Sequence, residues 1–293
     1  KEYTGAWEDH TLLEVFQELG ITQVHAPCGG NGTCKKCLVT VEGLGEVLSC
    51  QTQCKDGMCV TVAEEQKSAI AENGNCYLYP ADAGEGLLAA CDIGTTTVVC
   101  HLLDGATGVR LCTVSAPNAQ RSFGADVISR IQASVDSGLD KLQSAIVDQI
   151  NGMLVQLKQK AGRTEDIRRL AVAGNTVMSH LFCGLSPESI GVAPFTPLSL
   201  FGESYDAKQI GIEGCETVYV VPSIAGYVGG DIVADLAAVQ MHSSVLAEDG
   251  EKETLMLDIG TNGEMVLGRS GSYVCCATAA GPAMDGTTYT VSQ

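Results

Sequence analysis

Four cysteines, Cys28, Cys34, Cys37 and Cys50, stand at C-x5-C-x2-C-x12-C within the stretch PCGGNGTCKKC…VLSC. Thiolates at this density beside Gly29, Gly30 and Gly32 suit an iron–sulfur cluster of the [2Fe–2S] kind. Glycines without Cβ tolerate the positive φ and the close backbone approach that N–H groups need to reach ligand sulfurs. A zinc site and a disulfide framework are the competing readings. Zinc ribbons present two separated C-x2-C knuckles, whereas here Cys34 and Cys37 form one. Cys54 and Cys59, in QTQCKDGMC, are alternate ligands or reduced thiols, and reduced thiols fit better.

A second chemistry lies further on. CDIGTTTVV at 91–99 and LDIGTNGEMVLG at 257–268 repeat one pattern, Asp-Ile-Gly-Thr between strand-like runs, about 165 residues apart. An Asp ending a strand, followed by Gly and hydroxyl residues in a tight hairpin, aims N–H groups and hydroxyls at one point. That point suits phosphate, with the carboxylate reaching Mg²⁺ through water. One such turn is a common structural device; two copies in corresponding halves point to nucleotide. The candidates are Asp92, Gly94, Thr95, Thr96 and Thr97 in the first loop, and Asp258, Gly260, Thr261, Asn262 and Gly263 in the second.

The elements that must position these groups fall into four stretches. In residues 1–64, HTLLEVFQELGI predicts a helix with Leu12, Leu13, Val15, Phe16, Leu19 and Ile21 on a buried face, followed by the cysteine loop. LVTVEG and CVTVAEE read as short alternating strands, giving a small α+β layout that resembles a ferredoxin. Residues 65–86 are polar and Gly-containing, a short linker that holds the flanking units close. Residues 87–250 read as α/β: three strands, a long helical run, the strand–helix pair IRRLAVAGNTVMSHLFCG, a Pro-rich connection VAPFTPLSLFG, and a further strand, turn and helix. Residues 251–293 restart the three-strand pattern.

Thirty-five acidic against 17 basic residues leave a net charge of −18, which repels phosphate backbones and anionic lipid. Nucleic-acid and membrane partners are therefore not expected. The acidity serves solubility or docking to a basic protein face. The 14 cysteines are scattered, with Cys91, Cys100, Cys112, Cys275 and Cys276 in apolar runs, as buried thiols of a reducing compartment would be. With no signal-like start and no run of about 18 apolar residues, a cytoplasmic location is expected. Residues preceding Lys1 are expected, since the chain does not open on Met.

The paired DIGTTT and DIGTNG loops resemble the phosphate loops of the acetate kinase, sugar kinase, Hsp70 and actin superfamily, whose halves are ribonuclease H-like. The succession APCGGNGTCKKC, VLSCQT, DIGTTT, AVAGNTVMSH, GVAPFTP, PSIAGYVGGDIVADL, LDIGTNGE and ATAAGPAMDG is similar to the ATP-dependent reductive activators of corrinoid proteins, from about residue 9 to about residue 286. The cysteine spacing resembles adrenodoxin-like more than plant-type [2Fe–2S] ferredoxins, with three ligands on one loop and the fourth on a later strand.

This resemblance implies a [2Fe–2S] cluster and ATP with Mg²⁺ as cofactors. Its implied reaction is one-electron reduction of Co(II) to Co(I) in a corrinoid protein of a methyltransferase system, fed by an upstream low-potential donor. ATP makes the step feasible if the cobalt couple lies lower than the cluster, since each ~59 mV of one-electron mismatch costs a factor of about ten. Asp231, in SIAGYVGGD with Gly226, Gly229 and Gly230, matches the segment connecting the halves; it is the candidate catalytic residue, positioning Mg²⁺ or water, or else the N-cap of the following helix. Asn175, Thr176 and His180, in AGNTVMSH, are candidates to face a corrinoid or another ligand, with cobalt ligation by His180 as one reading, although a lone helical His is more often structural; His25 and Trp7 are read as packing residues. A homodimer is compatible with this reading. The second half is expected to be incomplete, because the chain reaches Gln293 only about 35 residues after Asp258. The alternative function is a ferredoxin-like electron carrier or redox-sensing docking module with a degenerate nucleotide fold.

Overall fold

A computed structural model describes residues 3–5, 7, 9–21, 24, 26, 30–32, 35, 37–62, 84–242, 254–260, 263–269 and 272–278. Residues 65–83 of the expected linker, His25 and the tail beyond Thr278 lie outside these residues.

Helix α1 (Leu12–Glu18) begins where Thr11 can cap it: the Thr11 hydroxyl accepts the Glu14 N–H, and the Glu14 carboxylate takes the Thr11 N–H at 2.6 Å. Its Leu12, Leu13 and Phe16 pack on Val24, Ala26, Val39 and Val41, in one core with Cys37 and Cys50. Strands β1 (Leu38–Val41), β2 (Gly45–Leu48) and β3 (Val60–Thr61) form an antiparallel sheet in the order β2-β1-β3. The predicted strand in CVTVAEE is thus two residues long among those described, and β2 was not anticipated. Gly43 and Gly45, both at positive φ, turn β1 into β2 where no apolar run announces a strand. Gln17 Nε2 donates to the Ser122 carbonyl at 2.6 Å and links α1 to the larger unit.

That unit is built on β4 (Leu87–Ile93), β5 (Thr97–Asp104), β6 (Arg110–Pro117), β7 (Ile167–Gly174), β8 (Ser204–Asp206) and β9 (Cys215–Val220), in the order β6-β5-β4-β7-β9-β8. β4, β7 and β9 run parallel; β5, β6 and β8 are antiparallel to their neighbours. Alternating burial along β4 sends Leu87, Ala89, Cys91 and Ile93 into the core. They meet Leu142, Ile146, Ile150, Leu154 and Leu157, the i, i+4, i+8 stripe of α3 (Leu139–Ala161). Helix α2 (Val127–Ala133), capped by Asp126, runs into α3 through a π-helical turn at Ser134–Gly138. Helix α4 (Thr176–Cys183) follows β7 directly, and the short α5 (Ala207–Ile210) follows β8.

Helix α6 (Gly230–His242) leads to a second antiparallel sheet, β10 (Thr254–Ile259), β11 (Gly263–Arg269) and β12 (Ser272–Thr278). Val228, Ile232 and Leu236 pack on Met256, Val266 and Cys275, so α6 bridges the sheets. The architecture is the expected one, a ferredoxin-like α+β unit followed by a ribonuclease H-like α/β fold and the opening of a second half. Of the cysteines expected to be buried, Cys91 and Cys100 are, Cys112 and Cys275 are half-buried, and Cys276 is exposed, because strand alternation puts it on the face opposite Cys275.

Candidate functional site

Cys37 and Cys50 are brought together, Sγ to Sγ 3.2 Å apart, by the close of β2 and the last turn before β1. Cys50 sits in a 3₁₀ turn, Ser49–Gln51, and not on the strand expected for it; the Ser49 N–H bonds to the Cys37 carbonyl at 2.9 Å, which sets the turn against the loop. The Gly32 N–H donates to the Cys50 sulfur, and Gln51 Nε2 reaches both the Gly30 carbonyl (2.7 Å) and Cys50 Sγ (3.8 Å). Gly30 and Gly32 hold φ of 85° and 72°, as the sequence requires of a loop that presents N–H groups to sulfur. Burial, then the Cys37 thiol, push Cys50 up to about 11. A bound metal would supply the positive charge that the buried Cys50 thiolate lacks. Cys54 packs on this core and Cys59 is exposed. Cys28 and Cys34 lie outside the described residues.

The two Asp-Gly hairpins converge, as the repeat requires. Asp92, Gly94, Thr95, Thr96, Thr97, Asn175, Asp231, Asp235, Asp258, Gly260 and Glu264 line a cleft of about 500 Å³ between the two sheets. In the first hairpin the last paired residues, Ile93 and Val98, enclose 94–97; in the second, Ile259 and Gly263 enclose 260–262, one residue fewer. Asp258 is paired across its hairpin with Glu264, which is buried. Thr261 and Asn262 lie outside the described residues.

The first loop is fastened from beneath. Gly94 is obligatory, since a Cβ there would stand 2.7 Å from the Thr97 carbonyl oxygen. Asn118 Nδ2 donates to the Gly94 carbonyl at 2.8 Å, and its backbone N–H to that of Thr96 at 2.9 Å. Asn175, the N-cap of α4, accepts the Met178 N–H with Oδ1 while Nδ2 donates to Thr95 Oγ1 at 3.0 Å. Arg130, 0% exposed, donates from Nη2 to the Thr95 carbonyl (2.5 Å) and from Nε to that of Gly124 (3.0 Å), with Nη1 against Met178 Sδ (3.0 Å). Burial, then Arg121, bring Arg130 down to about 9, which leaves it charged at neutral pH.

Four aspartates share one space. Burial first, then the like charges of Asp231, Asp235 and Asp258, push Asp92 up to about 7. Asp235 is pushed to about 6 by burial, then Asp258 and Asp231, and burial likewise raises Asp231. Among the described residues no three such side chains close on one point tightly enough to ligate an ion directly. This donor set fits a hydrated Mg²⁺ held through its waters, next to a phosphate anion.

Sequence reasoning missed Asp235 and Glu264. Asp235 is four residues after Asp231 and therefore on its helix face, a signal present in GGDIVADL. Asp231 is not the cap: α6 starts at Gly230, and the Asp231 carboxylate accepts the neighbouring Ile232 N–H at 2.9 Å. Gly229 and Gly230 do not line the cleft; a Cβ on Gly229 would meet the Asn175 Cα at 2.4 Å, so they let α6 close on α4. His180 is buried, Nδ1 against the Thr176 carbonyl at 2.7 Å, Nε2 accepting the N–H groups of Leu198 (3.1 Å) and Ser199 (3.3 Å). Both nitrogens are engaged, so His180 anchors the Pro-rich connection and has none left for cobalt. Thr176 bonds to Ala225 at 2.6 Å, and Trp7 donates to Glu18 at 2.9 Å.

A ferredoxin-like unit with a cysteine pair, joined to an Asp-Gly repeat around an acidic cleft, has counterparts among known proteins. The family model described as the RACo middle region matches residues 87–244. The chain belongs to the RACo family. Residues 252–292 match the C-terminal ASKHA domain of RACo, and 3–65 match a 2Fe-2S iron-sulfur cluster binding domain. Among relatives, the corrinoid activation enzyme RamQ of Eubacterium limosum is 31% identical over 98% of the chain and 61% of its own length. The [Co(II) methylated amine-specific corrinoid protein] reductase of Methanosarcina barkeri is 27% identical over 67% of the chain and 37% of its own. A solved structure of a reductive activator for corrinoid, iron-sulfur protein superposes with a TM-score of 0.62, at 29% identity, over 97% of the chain and 62% of that structure. The chain thus spans about three fifths of the RamQ and solved-structure counterparts of this RACo family. Among the described residues, no helix is long and apolar enough to cross a membrane.

Proposed function

We propose that the chain performs ATP-dependent reductive activation of a corrinoid protein, returning Co(II) to Co(I) by one electron. The observation that carries this reading is the pairing of a buried, N–H-lined cysteine site with a cleft in which both Asp-Gly hairpins face a shared set of carboxylates. A degenerate nucleotide fold would have no reason to retain the buried fastenings of Asn118, Arg130 and Asn175 beneath the first loop.

The cluster, held by Cys28, Cys34, Cys37 and Cys50, supplies a single electron at low potential when bound. The Gly32 N–H and Gln51 amide aimed at the Cys50 sulfur favour the more negative, reduced form and so tune that potential. In the cleft, the loop residues Thr95–Thr97 and Gly260–Gly263 take the phosphates. Asp92 and Asp258 would hold a hydrated Mg²⁺, which would offset phosphate charge, and Asp231, with Asp235 beside it, would position the attacking water and receive its proton. A bound cation would favour the ionised forms of Asp92, Asp231 and Asp235, which burial and their like charges now disfavour. The partner is the Co(II) corrinoid protein, and the electron entering the cluster comes from a separate low-potential donor.

State-dependent hydrolysis tests the reading. ATP turnover by the reconstituted chain should rise several-fold when the Co(II) carrier is added and stay basal with the same carrier in its methyl-Co(III) form. Equal turnover with both carriers would remove the coupling between nucleotide and cobalt.

A further inference from the structure

Among the described residues, the cleft lining holds Asp92, Asp231, Asp235, Asp258 and Glu264 but no Lys, Arg or His. A polyphosphate entering it meets its own sign of charge, and one hydrated Mg²⁺ offsets only part of that. One built-in cation, Arg130, lies beneath the first loop. Arg130 is completely buried, and among the described residues no ion pair joins it to a carboxylate. A desolvated guanidinium is costly, so three separate acceptors must repay its lost water, and they do: the carbonyls of Gly124 and Thr95 and the sulfur of Met178. One of those three is the backbone of the phosphate loop itself.

Peptide planarity gives this bond a direction. In a trans peptide the C=O of one residue and the N–H of the next point opposite ways. With the Thr95 carbonyl turned down to Arg130, the Thr96 N–H is turned up toward the cleft that Thr95 and Thr96 line. Asn118 does the same one peptide earlier, holding the Gly94 carbonyl and so turning up the Thr95 N–H. The guanidinium also polarises the Thr95 peptide, strengthening the positive end that faces the ligand.

We propose that Arg130 is a positioning residue for phosphate binding, fixing the orientation of the first-loop peptides and lending its buried charge to the anion through Thr95. The inference rests on the nucleotide reading of the cleft, so its test uses a probe that needs only the phosphate loops: tripolyphosphate with Mg²⁺, titrated calorimetrically into the reconstituted chain. Wild type should bind, and Asp92→Ala should weaken binding. Arg130→Met, which keeps the apolar stem, should weaken binding at least tenfold, and Arg130→Lys, which keeps the charge and one donor, should recover to within about threefold of wild type. The cluster absorption should be the same in all. In case Arg130→Met does not fold, the Arg130 Nε–H resonance of the ¹⁵N-labelled wild-type chain gives a second readout, and it should shift when the Mg²⁺-tripolyphosphate is added. Wild-type-like binding by Arg130→Met, Arg130→Lys no better than Arg130→Met, or an unmoved resonance on saturation would overturn the inference while leaving the nucleotide reading intact. Absence of binding by wild type would overturn both.

Discussion

Asn175 joins two structures at once: its Oδ1 caps helix α4 through the Met178 N–H, and its Nδ2 holds the Thr95 hydroxyl at 3.0 Å. The start of a helix and the setting of a phosphate loop therefore depend on one side chain. Asn175→Asp keeps the cap and loses the amide donor, whereas Asn175→Ala loses both. Cap loss costs about 1 kcal/mol, so Asn175→Ala should melt lower than wild type and Asn175→Asp should not. Both should bind Mg-ATP several-fold more weakly, as calorimetry would show; affinity that follows the melting temperature alone would confine Asn175 to the cap.

The cysteine pair gives a sharper set of variants. Single Cys→Ser changes at Cys28, Cys34, Cys37 and Cys50 should each abolish or strongly alter the visible absorption and the EPR signal of the reduced, reconstituted protein. Cys54→Ser and Cys59→Ser should leave both intact, since Cys54 packs on the core and Cys59 is exposed. Loss of the signal in Cys59→Ser with its retention in Cys50→Ser would reassign the fourth ligand.

The aspartate cluster predicts a pH dependence of defined sign. Asp92 and Asp235 have folded values near 7 and 6, above those of the unfolded chain, so between about pH 4 and pH 7 the folded state binds more protons. Their contribution to stability is present at low pH and is lost as pH rises through those values. Without metal, Asp92→Asn should therefore stabilise the protein more at pH 7.5 than at pH 5, with the effect vanishing only below about pH 4. Mg²⁺ should raise the wild-type melting temperature more at pH 7.5 than at pH 5. A metal effect independent of pH would mean that the carboxylates are not its site.

His180 predicts the opposite sign. Burial lowers its pKa, and both nitrogens are engaged by neutral-state bonds, so its contribution is present above about pH 6.5, the unfolded value, and is lost as pH falls below it. His180→Ala should lower the melting temperature at pH 8, by an amount that shrinks toward pH 5, with the cobalt spectrum of a bound corrinoid protein unchanged. A changed axial-ligand signature in that spectrum would contradict the structural role.

The fold was legible where sequence periodicity and repetition are strong. The apolar positions Leu12, Leu13, Val15 and Phe16 of α1 and the duplicated Asp-Ile-Gly-Thr each determine one arrangement, and the structure has it; Leu19 and Ile21, expected on the same face, follow the helix and are half-buried. What could not be read were elements defined by partners distant in sequence. β2 exists because Gly43 and Gly45 permit a tight return, and Cys50 lies on a 3₁₀ turn because the Ser49 N–H finds the Cys37 carbonyl. Asp235 was hidden inside an apparently ordinary helix start. Arg130 looked like any charged residue of an amphipathic helix, and only the tertiary approach of β4 reveals that its fork ends on Thr95.

In the proposed function, nucleotide and cluster act together on cobalt. The most direct measurement mixes the dithionite-reduced, desalted protein anaerobically with a Co(II) corrinoid protein and follows the Co(II) EPR signal and the Co(I) absorption, with and without Mg-ATP. With Mg-ATP present, Co(II) should disappear and Co(I) form, one cobalt per oxidised cluster, and Asp92→Ala and Asp258→Ala should abolish the nucleotide's effect while the cluster spectrum is retained. Co(I) formation to the same extent without nucleotide, or none with it, would contradict the account.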